Sequence, residues 1–253
     1  MLRWGSSPQS WFMATTPRRA VSTLAQAPWL ARGSDERFTG YGAMGVPYSR
    51  GHYLALRDML ASSVGATYRT IWHRDPQGRW TIFTNSDPDT SCPRYFGSVT
   101  AVVRVPAIEV TWRDDWKLDV TMSDRLSWRL ILQATPATQI MTTIGRATPQ
   151  WAWNSDAVLA SMGSMAGGFL RSGRLRLRGC TPNGPRFKAA PMQVWRVVGG
   201  GGKVDDADLG ALAPLREQTR LGDFWLPQRG LFFAGQARFT RPVPDVEKEP
   251  AMD

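Results

Sequence analysis

The sequence predicts a mainly β fold: an antiparallel meander with a short helical insert. Short segments in which apolar and polar residues alternate occur on both sides of the middle of the chain, as in half-buried strands. Turn sequences at Asp75–Gly78 and Thr181–Gly184 separate neighbouring segments, and tight turns of this kind join antiparallel strands. Between the two β-rich parts, residues 155–170 are almost free of charge and predict a helix. With 253 residues and 42% hydrophobic content, the chain can build one large β domain or two small ones.

The first β half is expected over residues 38–135. Its clearest feature is Asp75-Pro-Gln-Gly78, in which Pro at the second position and Gly at the fourth suit a type I turn. This turn joins aromatic-rich strands predicted at residues 67–73 and 79–84. Further strands are predicted at residues 51–57, 98–105, 107–112, 116–122 and 126–132.

The helical insert is expected over residues 136–172, with helices at 136–146 and 155–170. Gly163 and Gly167 lie four residues apart on one face of the second helix, which permits close backbone packing. The apolar part of that helix has about 14 residues, fewer than the roughly 20 that a bilayer span needs. We therefore expect a buried helix, or a lid over an apolar space.

The second β half is expected over residues 173–241. Residues 174–178 alternate strictly between Arg and Leu, and a return strand begins at residue 186, after the Thr181–Gly184 turn. The run Gly199–Gly202 lacks the Lys-Ser/Thr pair of a phosphate-binding loop, so we interpret it as a flexible hairpin tip. Further strands are predicted at residues 192–198 and 230–239.

The two ends of the chain are predicted to be loosely structured. Residues 1–37 lack apolar periodicity and are expected to form a flexible N-terminal arm, in which Met13 is a second candidate for the initiator methionine. The tail over residues 242–253 is rich in Pro, Glu and Asp. We find neither the continuous apolar core of a signal peptide nor an apolar run of 18 residues, so we expect a cytoplasmic protein with no membrane span.

The basic charge does not lead us to expect nucleic-acid binding. The chain carries 31 Lys and Arg against 21 Asp and Glu, a formal net charge of +10. Of these 31, 27 are arginines, scattered singly among Ala, Gly, Pro and Trp. Phosphate-binding surfaces usually cluster both residue types. An arginine excess is also what a GC-rich coding genome produces.

Residue counts and spacing exclude several metal and cofactor sites. Two cysteines, Cys92 and Cys180, are too few for a four-cysteine site, and two histidines are too few for a three-histidine zinc centre. Gly40–Gly45 matches the dinucleotide fingerprint Gly-x-Gly-x-x-Gly by letter, but Pro47 follows where its helix should run. The Gly-x-Ser-x-Gly elbow of serine hydrolases does not occur. We expect no metal and no cofactor.

Four residues are candidate proton-transfer groups: His73, His52, Glu109 and Asp223. Both histidines lie on predicted strands, and His73 is two residues from Asp75, a carboxylate able to orient an imidazole for acid–base work. Glu109 lies inside a predicted strand, and Asp223 precedes an aromatic-rich segment. The alternative is that these are surface residues that serve turns or pair with arginines.

Aromatic residues near these groups form the candidate ligand-binding set. Aromatic faces stabilise developing positive charge, so an acid placed among tryptophans can protonate an apolar substrate. The segment 223–229 suits either the mouth of a small-molecule cavity or the plugged end of a barrel. The set comprises Trp72, Trp80, Trp112, Trp225 and Arg229.

The strand-rich halves around a helical insert resemble lipocalin-like double-barrel proteins of the carotenoid hydratase and cyclase type. The resemblance rests on aromatic strands such as Trp72-His-Arg-Asp-Pro-Gln-Gly-Arg-Trp80 and on Trp195, covers residues 40–240, and includes no catalytic motif. It implies that the meander closes into one or two lipocalin-like barrels, and that an apolar small molecule binds without a cofactor. The composition is also similar to that of proteins from GC-rich bacteria.

Two functions are compatible with these patterns. The first is binding, or cofactor-independent conversion, of an apolar small molecule in a β-lined cavity. The second is a non-enzymatic interaction or scaffold protein whose arginine-rich surface meets an acidic partner. An open cavity favours the first function and a filled interior favours the second. The patterns leave the oligomeric state open.

Overall fold

The computed structural model describes residues 16–241, and this part of the chain is mainly β, as the sequence predicts. The predicted tail over residues 242–253 and the first 15 residues of the predicted arm lie outside the described residues. The helices are α1 (Pro17–Gln26), α2 (Pro93–Phe96), α3 (Pro136–Ala147) and α4 (Asp156–Phe169). The strands are β1 (Glu36–Pro47), β2 (Tyr53–Ser62), β3 (Tyr68–Arg74), β4 (Trp80–Thr84), β5 (Ala101–Arg104), β6 (Glu109–Trp112), β7 (Lys117–Met122), β8 (Leu126–Gln133), β9 (Arg178–Cys180), β10 (Arg186–Val204), β11 (Ala207–Asp208), β12 (Arg220–Leu221), β13 (Phe224–Trp225) and β14 (Leu231–Phe239).

Twelve strands form one sheet in the order β5-β4-β3-β2-β1-β14-β10-β8-β7-β6, with β9 and β11 also paired to β10. The last strand of the chain, β14, therefore lies at the centre, between β1 and β10. Strands β12 and β13 form a separate hairpin. Within residues 16–241 no pairing joins the two outer strands, β5 and β6, so strand pairing leaves the sheet open rather than closed into the predicted barrels.

The prediction of a fully antiparallel meander is wrong for one pair of strands. Strand β5 runs parallel to β4, and the other strand pairs of the described residues are antiparallel. Residues 85–100 connect the two parallel strands through short helical turns that include α2. A parallel neighbour requires such a crossover, because a two-residue turn can join only antiparallel strands.

The predicted turn between β3 and β4 is confirmed. The backbone N–H of Gly78 donates to the carbonyl oxygen of Asp75 at 3.0 Å. The Asp75 carboxylate accepts from the backbone N–H of Arg79 at 2.9 Å and from its Nε at 2.7 Å. The carboxylate therefore stabilises its own turn.

Helix α1 lies inside the stretch predicted to be a flexible arm, so that prediction is wrong for its described part. The Thr16 hydroxyl caps the helix by accepting from the backbone N–H of Arg19, and Pro17 occupies the first turn. Ala20 and Leu24 lie on one face and are buried in the core. Burial of this face against the sheet stabilises the helix. An isolated helix of ten residues would not be stable in water.

Alternation along the central strands sends side chains into two cores on opposite faces of the sheet. In β2, Leu54 and Leu56 face the core that α1 covers. Tyr53 and Ala55 face the opposite core, which α2 and the β12–β13 hairpin cover. Helices α3 and α4 lie on this second side, where they pack against Val194 and its neighbours. The centre of the sheet is therefore buried on both faces.

Helix α4 packs closely on the segment that follows it. A Cβ at Gly163 would lie 3.0 Å from the carbonyl oxygen of Leu175, and one at Gly167 would meet the carbonyl oxygen of Gly173. Because residues 173–177 pack on the helix, the strand predicted from residue 174 begins only at residue 178. Across residues 16–241, none of the helices combines the length and the apolar character that crossing a bilayer requires.

The run Gly199–Gly202 lies within the 19-residue strand β10, so the prediction of a flexible hairpin tip is wrong. These glycines pair with β8. Gly200 and Gly202 have φ of 121° and 154°, a backbone that side chains disfavour. A Cβ at these positions would also overlap the carbonyl oxygens of Arg129 and Ser127. Glycine is therefore needed for β8 to pair here.

Candidate functional site

An apolar cavity lies between the sheet and the helical insert. The sheet contributes residues of β1, β2, β10 and β14, and the rest comes from α3, α4, the segment between α4 and β9, and the β12–β13 hairpin with the loop after it. The cavity volume is about 110 Å³. An apolar cavity of about 150 Å³ is enough to hold benzene, so this space suits a small apolar group or a short chain. Apolar lining residues include Ala166, Leu170, Ala189, Val194, Phe224, Trp225, Leu231 and Phe233.

Four methionines contribute to the cavity wall from four different elements. Met44 comes from β1, Met59 from β2, Met141 from α3 and Met162 from α4. Methionine is unbranched and flexible, so it adapts to irregular shapes better than Leu or Ile does. These side chains can therefore rearrange around ligands of different length.

Two arginines line the cavity, and only one of them has a carboxylate partner. Arg176 is paired with Asp223, whose Oδ1 lies 2.6 Å from Nη1. For Arg57, the structure of residues 16–241 shows neither an ion pair nor a hydrogen bond. Burial lowers the pKa of the Arg57 guanidinium from its usual value, and the nearby Cys92 thiol acts in the opposite direction. Arg57 therefore places an unpaired guanidinium in an apolar cavity.

Aromatic rings surround the guanidinium of Arg57. Its Cζ lies 5.0 Å from the ring centre of Phe233, 5.4 Å from that of Phe224 and 5.6 Å from that of Trp72. The strand register explains this position, because Arg57 pairs with Gly42 of β1, which pairs in turn with Phe233 of β14. Gly42 has no side chain, so the arginine can cross β1 and reach Phe233. Cation–π attraction offsets part of the cost of desolvating this charge.

Two indole groups add unpaired hydrogen-bond donors. Trp225 lines the cavity, and its buried Nε1 has no hydrogen-bond partner in the part of the chain that is described. The same holds for Nε1 of Trp72, whose ring contacts Arg57. A buried donor without an acceptor costs about 1–3 kcal/mol. A ligand that carries an anionic or carbonyl oxygen can accept from donors of this kind.

The structure brings the two predicted catalytic histidines together, but away from the cavity. Nδ1 of His52 lies 3.0 Å from Nε2 of His73, and the two rings stack. Burial, aided by neighbouring His52, lowers the pKa of His73 to about 4, and burial also lowers the pKa of His52. The expected partner of His73, Asp75, is bound to Arg79 in its own turn. The histidines therefore form a neutral, hydrogen-bonded pair within the sheet.

The two predicted carboxylates lie apart from the histidines and from each other. Glu109 is exposed on the outer strand β6. Asp223 lies in the turn between β12 and β13, where it accepts from Arg176 and from the backbone N–H of Cys180 at 3.0 Å. Asp223 therefore holds this loop in place. The four predicted proton-transfer groups do not share a concave site, and none of them lines the cavity.

The predicted ligand-binding residues are only partly at the cavity. Trp225 lines it, and Trp72 borders it through its contact with Arg57. Trp80 is buried in the core on the same side of the sheet as the cavity. Trp112 packs in the opposite core, because side chains alternate along β6 and Trp112 lies on the face directed to that core. Arg229 is exposed and does not line the cavity.

Comparisons of the chain with protein-family models, with curated proteins and with solved structures found no match. Among residues 16–241, no group of three or more His, Cys, Asp or Glu side chains is placed to hold a metal ion.

The sequence analysis missed Arg57 and the methionines of the cavity. Arg57 lies on the same face of β2 as Tyr53 and Met59, so a cation interrupts an apolar face, and alternation could have revealed it. No local pattern places Met141 and Met162, because they reach the cavity only through the packing of α3 and α4.

Proposed function

We propose that the protein binds an apolar small molecule that carries an anionic head group, and specifically a medium-chain carboxylate. The observation that carries this proposal is the guanidinium of Arg57, which lies in an apolar cavity with no carboxylate partner among the described residues. An unpaired buried charge is costly. A ligand carboxylate that accepts from the guanidinium offsets this cost through charge-assisted hydrogen bonds.

The rest of the cavity supports an aliphatic tail. The wall contributed by α4 is formed by Met162, Ala166 and Leu170, and the opposite wall includes Met44 and Phe233 of the sheet. These side chains offer no hydrogen bonds, so they favour a hydrocarbon chain over a polar one. The volume of about 110 Å³ holds a short chain as it stands. A longer chain requires the methionines to move, which their flexibility allows.

The composition of the lining favours binding over proton-transfer catalysis. Among the described residues that line the cavity, none is His, Cys, Asp, Glu or Tyr. General acid–base catalysis needs such a group within hydrogen-bond reach of the reacting atom. The two charged side chains of the lining, Arg57 and Arg176, are guanidinium groups, which donate hydrogen bonds and do not accept them.

We further propose that the resemblance to lipocalin-like double-barrel proteins reflects a shared mode of ligand binding. In this proposal an apolar ligand lies against one face of a large, mostly antiparallel sheet and needs no cofactor. The large sheet and the apolar cavity on one of its faces support the proposal.

Isothermal titration calorimetry with matched ligands tests the proposed function. The full chain is titrated with hexanoate, octanoate and decanoate, and with the alcohol and the alkylammonium ion of each chain length. We expect the carboxylate to bind at least about tenfold more tightly than the alcohol, because its head group accepts charge-assisted hydrogen bonds. The alkylammonium ions should not bind, because their charge repels Arg57. Equal affinity for the three head groups, or no binding of any carboxylate, would contradict the proposal.

A further inference from the structure

The helical insert exposes large apolar side chains that do not line the cavity. Two of them lie one turn apart on α3 and two lie one turn apart on α4, and a tryptophan lies between the helices. We call this surface the insert face. It consists of Ile140 (46% exposed), Ile144 (37%), Trp151 (72%), Met165 (45%) and Phe169 (56%).

The two helices present this surface together. Met141 of α3 packs in one cluster with Ala166 and Leu170 of α4, above the same face of the sheet. None of the five exposed residues of the insert face lines the cavity. A group of large exposed apolar side chains usually marks an interaction site.

The charge of the protein is concentrated around this insert. Residues 125–204 contain eleven Arg and Lys but a single carboxylate, Asp156, so this segment carries a formal charge of +10. The remaining residues contain twenty basic and twenty acidic groups, and the whole net charge of the chain therefore comes from this segment. The segment includes α3, α4 and the strands β8, β9 and β10.

Part of this positive charge is paired with carboxylates outside the segment: Arg125 with Asp205, Arg129 with Asp119 and Arg176 with Asp223. Asp156, at the start of α4, is already held by Lys188 at 3.0 Å and lies within 3.7 Å of Arg186. At the other end of α4, Arg171 and Arg174 are exposed, and neither has an ion-pair partner among the described residues. The apolar side chains are therefore flanked by cations.

We propose that the insert face docks the protein on an anionic lipid surface. Exposed Ile, Met and Phe side chains can insert among acyl chains, and a tryptophan suits the headgroup level. Flanking arginines are attracted to anionic headgroups. The combination fits lipid better than nucleic acid, whose recognition requires no exposed aliphatic surface. This inference is independent of the proposed function, because none of the residues of the insert face lines the cavity.

Vesicle flotation of the full chain tests this inference. One set of vesicles contains phosphatidylcholine alone, and the other contains in addition about one third phosphatidylglycerol. We expect binding to the anionic vesicles that weakens in high salt, and little binding to the neutral ones. The double variant Met165→Ser/Phe169→Ser should lower the partition coefficient at least about tenfold, since both side chains would otherwise insert. Arg171→Gln should lower it about fivefold.

Val99→Ser is the matched control, because Val99 is 51% exposed and lies beside β5, at the outer edge of the sheet. This variant should bind anionic vesicles within about twofold of the parent protein. The inference is overturned if the parent binds neither kind of vesicle, or if the double variant binds as well as the parent. It is also overturned if the parent is a dimer that the double variant dissociates, because the insert face then joins two copies of the chain. Failure of carboxylate binding in calorimetry does not affect these outcomes.

Discussion

The guanidinium carbon of Arg57 lies 5.0 Å from the ring centre of Phe233, although the whole of strand β1 separates their two strands. The contact exists because the residue between them in the register is Gly42, which has no side chain to block it. A side chain there would separate the cation from the ring. Gly42 therefore allows the contact between the cation and the ring.

Replacing Arg57 with methionine should make the ligand-free protein more stable. The substitution keeps an unbranched side chain of similar length and removes a half-buried charge that has no carboxylate partner among residues 16–241. We expect the free energy of unfolding to rise by about 1–3 kcal/mol, as when buried charges are replaced by apolar groups. Urea unfolding followed by tryptophan fluorescence measures this change.

Arg104→Met is the control for that experiment. Arg104 is exposed on the outer strand β5, and its substitution by methionine removes the same formal charge as Arg57→Met. It should change the free energy of unfolding by less than about 0.5 kcal/mol. A clear loss of stability in Arg57→Met would show that the arginine is a structural residue and not a ligand-binding one.

Filling the cavity should abolish binding of the tail without unfolding the protein. Ala166 is a small residue of α4 that lines the cavity, so Ala166→Leu projects an isobutyl group into the empty space. We expect octanoate affinity to fall at least tenfold, with stability within about 1.5 kcal/mol of the parent because the cavity accepts the extra atoms. Ala157→Leu, on the exposed face of the same helix, should leave affinity unchanged. Unaltered affinity in Ala166→Leu would place the ligand elsewhere.

The histidine pair should make stability depend on pH. Because the folded-state pKa of His73 is lowered to about 4, the unfolded chain binds more protons than the folded one between that value and the ordinary pKa near 6.5. Stability is therefore fully present above the unfolded pKa and decreases as the pH falls. From pH 7.5 to pH 5 the loss attributable to His73 should be about 2 kcal/mol.

His73→Gln tests this dependence, because glutamine keeps a hydrogen-bonding group but does not titrate. Urea unfolding at several pH values should give a shallower slope for the variant than for the parent between pH 5 and pH 7.5. Identical slopes would show that the histidine pair is not the source of the pH dependence.

A second buried polar cluster should contribute strongly to stability. The Asp58 carboxylate accepts from the hydroxyl of Tyr41 at 2.6 Å and from Nε of Arg69 at 2.7 Å, and it is almost fully buried. Asp58→Asn removes the charge that compensates Arg69 and should lower the free energy of unfolding by about 2–4 kcal/mol. Asp206→Asn, at an exposed turn, should leave the midpoint of urea unfolding unchanged. A similar midpoint for the two variants would contradict the importance of this cluster.

Local features of the fold could be predicted from the sequence, and long-range pairings could not. The Asp75–Gly78 turn depends on four consecutive residues, and the structure confirms it. In contrast, β14 lies between β1 and β10, a placement that depends on strands from both ends of the chain. The prediction of a hairpin tip at the glycine run in β10 is wrong for the same reason. Glycine is required there because the carbonyl groups of β8 lie too close for a side chain, and not because the chain turns.

The candidate site shows the same limit. His52 and His73 are candidates because they lie on predicted strands, and the structure places them side by side but gives them each other as partners. From the sequence, Arg57 is predicted only as part of a strand. Its position in the cavity depends on Gly42 and Phe233, which strand pairing brings next to it. Chemistry that depends on one element can be predicted from local sequence, whereas a cavity formed by strands, helices and loops from distant parts of the chain cannot.

The most direct test of the central claim is a cycle of four affinities, measured by isothermal titration calorimetry. The parent protein and Arg57→Met are each titrated with octanoate and with 1-octanol. We predict that the parent prefers octanoate at least about tenfold and that the variant has lost this preference, while the two proteins bind 1-octanol equally within about twofold. A preference for octanoate that persists in Arg57→Met would contradict the claim that Arg57 holds the head group of the ligand.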